Sequence, residues 1–151
     1  MESNKQELNL SHKESFKFEK KLSLLSHLDS VRDLVYLSKE SILVSVSEDC
    51  LVKLWNIESI IKQPSEETTP YYNLRGHTDP IFTACYTDSS KGNFICTAGS
   101  KGTVHIWSVP KASKVTPYEI TGGKNYQVLT FDAHKEAIWK ILSHSASVRF
   151  E

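Results

Sequence analysis

No hydrophobic run in this 151-residue chain approaches the roughly 18 residues that a membrane-spanning helix requires. The opening stretch MESNKQELNLSHKESFKFEKK is polar and lacks the apolar segment of a secretory signal. Net charge is absent too. Eighteen Lys and Arg balance eighteen Asp and Glu, so nothing advertises a nucleic acid or an anionic membrane as partner. Cysteine is scarce: Cys50, Cys85 and Cys96 are an odd number without CxxC spacing, which argues against a disulfide framework. Cys85 and Cys96 fall inside apparent strands, where a free thiol acts as a small hydrophobe. The length suffices for one domain with a real core, and the expectation is a reduced, soluble, cytoplasmic protein.

The chemistry of an active site is equally thin. The six histidines (His12, His27, His77, His105, His134 and His144) stand singly, without the close pairs that zinc sites use. Gly122-Gly123-Lys124 lacks the spacing of a phosphate loop. Glu66-Glu67 reads as a solvated charge run. Ser45, His27 and Asp49 are the residue types of a hydrolase triad. A triad also needs its nucleophile on an accessible elbow beside an oxyanion hole. Ser45 instead lies within a β-run, and its counterpart further on is Thr97 with no Asp. The expectation is no catalytic residue, no metal, no cofactor and no enzyme.

What the chain does have is a phrase said twice and begun a third time. From His27 it reads HLDSVRDLVY and then ILVSVSEDCLVKLWN, ending at Asn56. From His77 it reads HTDPIFTACY and then FICTAGSKGTVHIWS, ending at Ser108, and HKEAIWKIL restarts it at His134. A repeat unit cannot bury its hydrophobic face alone, so this self-similarity outranks other signals. Strand candidates are Val31–Leu37, Ile42–Ser47, Leu51–Asn56 and Tyr71–Leu74, then Ile81–Tyr86, Phe94–Ala98, Thr103–Ser108 and Gln127–Phe131. Each is rich in β-branched and aromatic residues, and most are bounded by Ser, Asp, Gly or Lys. Lys20–Ser26 is a further short strand candidate. Ser59–Thr69 and Pro110–Asn125 read as polar loops, and no segment holds helical periodicity for three turns. Four strands per repeated unit make a propeller blade.

At these residues the chain resembles a WD-repeat β-propeller, with a His near the start of each unit and a Trp closing its third strand. His27 to Trp55 is 28 positions and His77 to Trp107 is 30. Only the second unit keeps the Gly-His pair, Gly76-His77, and the usual Asp after Trp is Asn56 or Ser108. The resemblance implies a structural tetrad of His27, Ser45, Asp49 and Trp55 in the first unit. The second has His77, Thr97 and Trp107, but Lys101 stands where Asp belongs, which predicts a more weakly specified blade with Lys101 turned to solvent. SHLDSVRDL, LVSVSEDCLVKLWNI, and PYEI with HKEAIWKIL resemble more closely the start of the propeller of the striatin scaffold proteins, over about residues 20 to 142. That resemblance implies an adaptor helping to assemble a complex around a type-2A protein phosphatase and kinases. Family segments that bind caveolin and calmodulin or form a coiled coil lie upstream of the propeller, and none is visible here.

The fold expected is therefore all-β: an incomplete WD-repeat propeller over residues 20–151, behind a disordered polar tail at 1–19. Repeat 1 covers about 27–75, repeat 2 about 76–132, and a partial repeat 3, with one strand, begins at 133. Closing a ring takes roughly four to eight blades, so a longer chain or a partner is expected to supply the rest. Residues 1–151 alone are expected to be poorly soluble or oligomeric, because exposed strand edges template association. The residue five after each repeat His is Arg32, Phe82 and Trp139, near the face where propellers dock partners. This makes an Arg–Phe–Trp surface the candidate protein-binding site. Thr69 and Thr116 each precede Pro in a loop and are candidate phosphorylation sites. Protein partners follow, with no nucleic acid; a ubiquitin-ligase substrate receptor and a purely structural, split or remnant propeller are the alternatives.

Overall fold

The computed structural model describes residues 22–64, 68–89, 92–114 and 126–144. The tail expected at 1–19, the Gly122-Gly123-Lys124 run, Glu66-Glu67 and Thr116 lie outside the described residues. The described residues contain two four-stranded antiparallel sheets, each a simple meander. The first runs β1 (Val31–Leu37), β2 (Ile42–Ser47), β3 (Val52–Asn56) and β4 (Tyr72–Leu74). The second runs β5 (Ile81–Ser89), β6 (Gly92–Gly99), β7 (Thr103–Ser108) and β8 (Gln127–Asp132).

Period-two alternation decides which face each strand buries. Val44 and Val46 of β2, and Val52 and Leu54 of β3, join Leu37, Ile42 and Leu74 in one cluster with Ile81, Ala84, Ile95 and Trp107 of the second sheet. The sheets thus pack face to face as neighbouring blades. A second cluster, Ala98, Val104, Ile106 and Ile138, is built on the other face of the second sheet by the restarted third unit.

Both innermost strands carry a bulge at the same place. Val31 pairs with Ser47 and Asp33 with Val46, so Arg32 is the extra residue. Ile81 pairs with Gly99 and Thr83 with Ala98, so Phe82 is the extra residue. A bulge leaves its extra residue outside the ladder and re-aims its side chain.

Three expectations are corrected. The first turn of the supposed loop Ser59–Thr69 belongs to a short helix, α1 (Ile57–Lys62). Asn56 caps it, its side-chain oxygen accepting the Ser59 N–H at 3.0 Å, and Lys62 pairs with Glu58 at 2.6 Å one turn away. Residues 22–26 form no strand. They are tied to β3 by a side chain instead, Lys53 Nζ donating to the Ser26 carbonyl at 2.6 Å and to its Oγ at 2.8 Å. Residues 133–144 also lack strand structure. Their backbone meets isolated acceptors rather than a ladder: the Ile138 N–H donates to the Gly99 carbonyl at 2.9 Å, and the Ile141 N–H to Thr83 Oγ1 at 3.2 Å.

Candidate protein-docking site

The first blade is pinned by one chain of hydrogen bonds. Trp55 Nε1–H donates to Ser45 Oγ at 2.9 Å, and Ser45 Oγ lies 2.7 Å from His27 Nε2. His27 Nδ1 lies 2.8 Å from Asp49 Oδ2. A carboxylate only accepts, so His27 Nδ1–H donates to Asp49. Asp49 also receives the Leu28 and Leu51 N–H groups, each at 3.0 Å. Burial works to raise the Asp49 pKa, but these backbone donors and His27 outweigh it and hold the carboxyl below its ordinary range. Ser45 is only 4 % exposed, with its Oγ hydrogen-bonded to both Trp55 and His27. The arrangement fixes the loop carrying His27; it does not present a nucleophile.

In the second blade, Trp107 Nε1–H donates to Thr97 Oγ1 at 2.8 Å and His77 Nε2 lies 2.7 Å from the same hydroxyl. The carboxylate link is missing. Lys101 reaches solvent at 66 % side-chain exposure, and its ammonium meets Asp79 Oδ1 at 2.8 Å. His77 packs against His105, ring centroids 4.0 Å apart. Burial first, and then the neighbouring His105, push the His77 pKa down to about 3, so the ring stays neutral.

Arg32 and Phe82, the extra residues of the two bulges, meet Trp139 of the third unit to make a ladder. The Phe82 and Trp139 rings stack with centroids 4.8 Å apart and planes 6° from parallel. The Arg32 guanidinium carbon lies 5.4 Å from the Phe82 centroid, within reach of a cation–π contact. Arg32 also meets Glu48 at 3.4 Å. Trp139 is 66 % exposed, so the outer rung presents a large apolar surface to solvent.

Beneath the ladder runs a polar seam that sequence reasoning missed. Asp33 Oδ2 accepts from Thr83 Oγ1 at 3.1 Å, the Ala84 N–H at 3.0 Å and Lys140 Nζ at 2.8 Å. Burial opposes ionisation of Asp33, yet Lys140 and these donors leave its pKa below the usual carboxylate value. Asp33, Thr83 and Lys140 each stand six residues after their repeat His, one beyond the ladder positions. That phase is the signal that would have found them. Thr69 is exposed in the segment before β4. Among the described residues no group of three or more His, Cys, Asp or Glu is placed to hold a metal ion, and no helix is long and apolar enough to cross a membrane.

Comparison with known proteins agrees with this architecture. The WD domain, G-beta repeat family matches residues 18–56 and 68–108. A striatin homolog of Dictyostelium discoideum is 33 % identical over 141 residues, covering 82 % of this chain and 16 % of that protein. Human striatin-3 is 34 % identical over 122 residues, covering 79 % of this chain and 15 % of the relative. Human striatin-4 is 28 % identical over 144 residues, covering 91 % and 18 % respectively. The chain therefore spans less than a fifth of the length of these relatives. On the repeat match and the paired four-stranded blades, the chain belongs to the WD-repeat family and is striatin-like within it.

Proposed function

We propose that this chain acts as a non-catalytic protein-interaction scaffold that docks partners on the Arg32–Phe82–Trp139 ladder. The observation that carries the reading is the 66 % exposure of Trp139, stacked on Phe82 and so held in place before a partner arrives. Trp and Arg are enriched among the few residues that supply most of the binding energy in protein interfaces. The repeats, taken as 27–75, 76–132 and from 133, then serve as the frame. The tetrad of His27, Ser45, Asp49 and Trp55 and the trio of His77, Thr97 and Trp107 hold that frame; their buried hydroxyls favour structure over catalysis.

The partners we infer, in keeping with the striatin likeness, are subunits of a cytoplasmic phosphatase–kinase signalling complex. Thr69, exposed beside Pro70, is a phosphoacceptor that would add charge to a loop of the first blade. The test is recovery of phosphatase and kinase subunits from cell extract by the chain and by an R32A/W139A variant. The variant is expected to keep its strand signal and to lose recovery at least about tenfold, the loss of one hot spot. Undiminished recovery by the folded variant would remove the ladder from the docking site. Recovery of cullin-linked proteins instead would favour a ubiquitin-ligase receptor.

A further inference from the structure

Cys85 and Cys96 are direct cross-strand partners in the β5–β6 ladder, flanked by the pairs Ala84 with Thr97 and Tyr86 with Ile95. Residues directly opposite on an antiparallel pair point to the same face, with Cβ atoms about 4.5–5.5 Å apart. A disulfide takes about 3.5–4.5 Å between the same atoms, so a small closure bridges the two thiols. They are free and only half-buried. Cys96 lies against the cluster on the outer face of the second sheet, beside Phe94 and Ile141. We propose that Cys85 and Cys96 are a reversible oxidation site, which a peroxide closes into a cross-strand disulfide.

The two sulfurs are not equivalent. Each thiol acts on the other: the neighbouring Cys96 favours the thiolate at Cys85, and Cys85 disfavours it at Cys96. Ser143 and the Lys140 charge add to the stabilisation at Cys85, while burial opposes it. Cys85 is therefore the attacking sulfur. Its thiolate takes the distal oxygen of the peroxide; the O–O bond breaks, and the leaving hydroxide picks up a proton as water, leaving a sulfenic acid. Cys96 then attacks the Cys85 sulfur. The S–S bond forms as the S–O bond breaks, and the hydroxyl departs with the Cys96 proton as a second water. Two thiols are oxidised by two electrons and one peroxide is reduced to two waters. Because opposed strand residues stand wider apart at Cβ than a relaxed disulfide takes, the bond is readily reduced again by a dithiol.

The experiment treats the purified chain with hydrogen peroxide, blocks remaining thiols with N-ethylmaleimide, and digests with trypsin. Cleavage after Arg75, Lys91 and Lys101 places Cys85 in peptide 76–91 and Cys96 in peptide 92–101. The expected product is these two peptides joined by a disulfide, with Cys50 still alkylated and dithiothreitol restoring all three thiols. A C50S variant is expected to behave alike, and C85S and C96S each to lose the linked pair. Formation in the folded chain should be about tenfold faster than in urea, because the strands hold the thiols together. Alkylation of all three cysteines, a Cys85 sulfinic acid beside an alkylated Cys96, or equal rates in urea would each overturn the proposal.

Discussion

Ser45 shows how much one atom can be asked to do. Its Oγ joins Trp55 to His27 inside a blade, and removal strands the indole N–H of Trp55, a residue only 1 % exposed. S45A is expected to lower stability by about 1–3 kcal/mol, the cost of an unsatisfied buried donor, measured by urea unfolding. His77 makes the opposite statement, having a hydroxyl partner but Lys101 where a carboxylate would stand. Its folded pKa of about 3 lies below the ordinary 6.5, so the unfolded chain binds the proton first. Stability from this group is present in full above pH 6.5 and falls as pH drops towards the folded value. The slope is at most about 1.4 kcal/mol per pH unit. His105, also depressed by burial, adds to the same trend. Asp49 contributes only further down, as pH falls below its ordinary 3.8 through its lowered folded pKa. An H77Q variant is expected to show a flatter dependence of urea midpoint on pH between about 4 and 6.5. An unchanged slope would mean that His77 is protonated in the fold.

At the scale of the element, the β2–β3 turn of the first blade and the β6–β7 turn of the second pose the same problem and solve it with different residues. Cys50 adopts a left-handed φ of 64°, where Gly102 takes 73°. A side chain there costs about 1–2 kcal/mol unless local bonds compensate, and the Cys50 Sγ makes only a 3.6 Å contact with the Glu48 carbonyl. C50G is expected to raise stability by about 0.5–1 kcal/mol. The reverse change is forbidden at Gly102, where a Cβ would lie 2.2 Å from the His134 carbonyl oxygen and 2.6 Å from that of Glu136. G102A is expected to lower stability and to loosen the segment carrying Trp139, read by hydrogen exchange at Ile138, whose N–H bonds Gly99.

The strands were legible because alternation and repeat phase point the same way; Val44, Ser45 and Val46 sort to opposite faces as written. The helix α1 was not, since Asn56 occupies a strand position and caps the helix at once. Nor were the bulges, which exist only in the register between strands. They explain why Arg32 and Phe82 stand outside the strand pairing while Asp33 and Thr83 join the seam.

For the whole molecule, two blades leave two faces unmatched by a neighbouring sheet among the described residues. Leu34 and Tyr36 are 57 % and 53 % exposed on the first blade, and Leu129 and Phe131 are 45 % and 44 % exposed on the second. The isolated chain is expected to self-associate through these surfaces, and F131K to reduce the association seen by sedimentation. A monomer at all concentrations would show that the faces are covered from within. The Arg32–Phe82–Trp139 ladder belongs to this scale as well, because each rung comes from a different repeat. Its stacking contributes only about 0.5–1.5 kcal/mol, so its removal should spare the fold. The most direct test places a photo-crosslinking amino acid at position 139 in cells, with position 61 as control; Ile61 is 70 % exposed on α1, away from the ladder. The account predicts discrete protein adducts from position 139, containing phosphatase or kinase subunits, and none of these from position 61. No adduct at 139, or the same adducts at both positions, would contradict it.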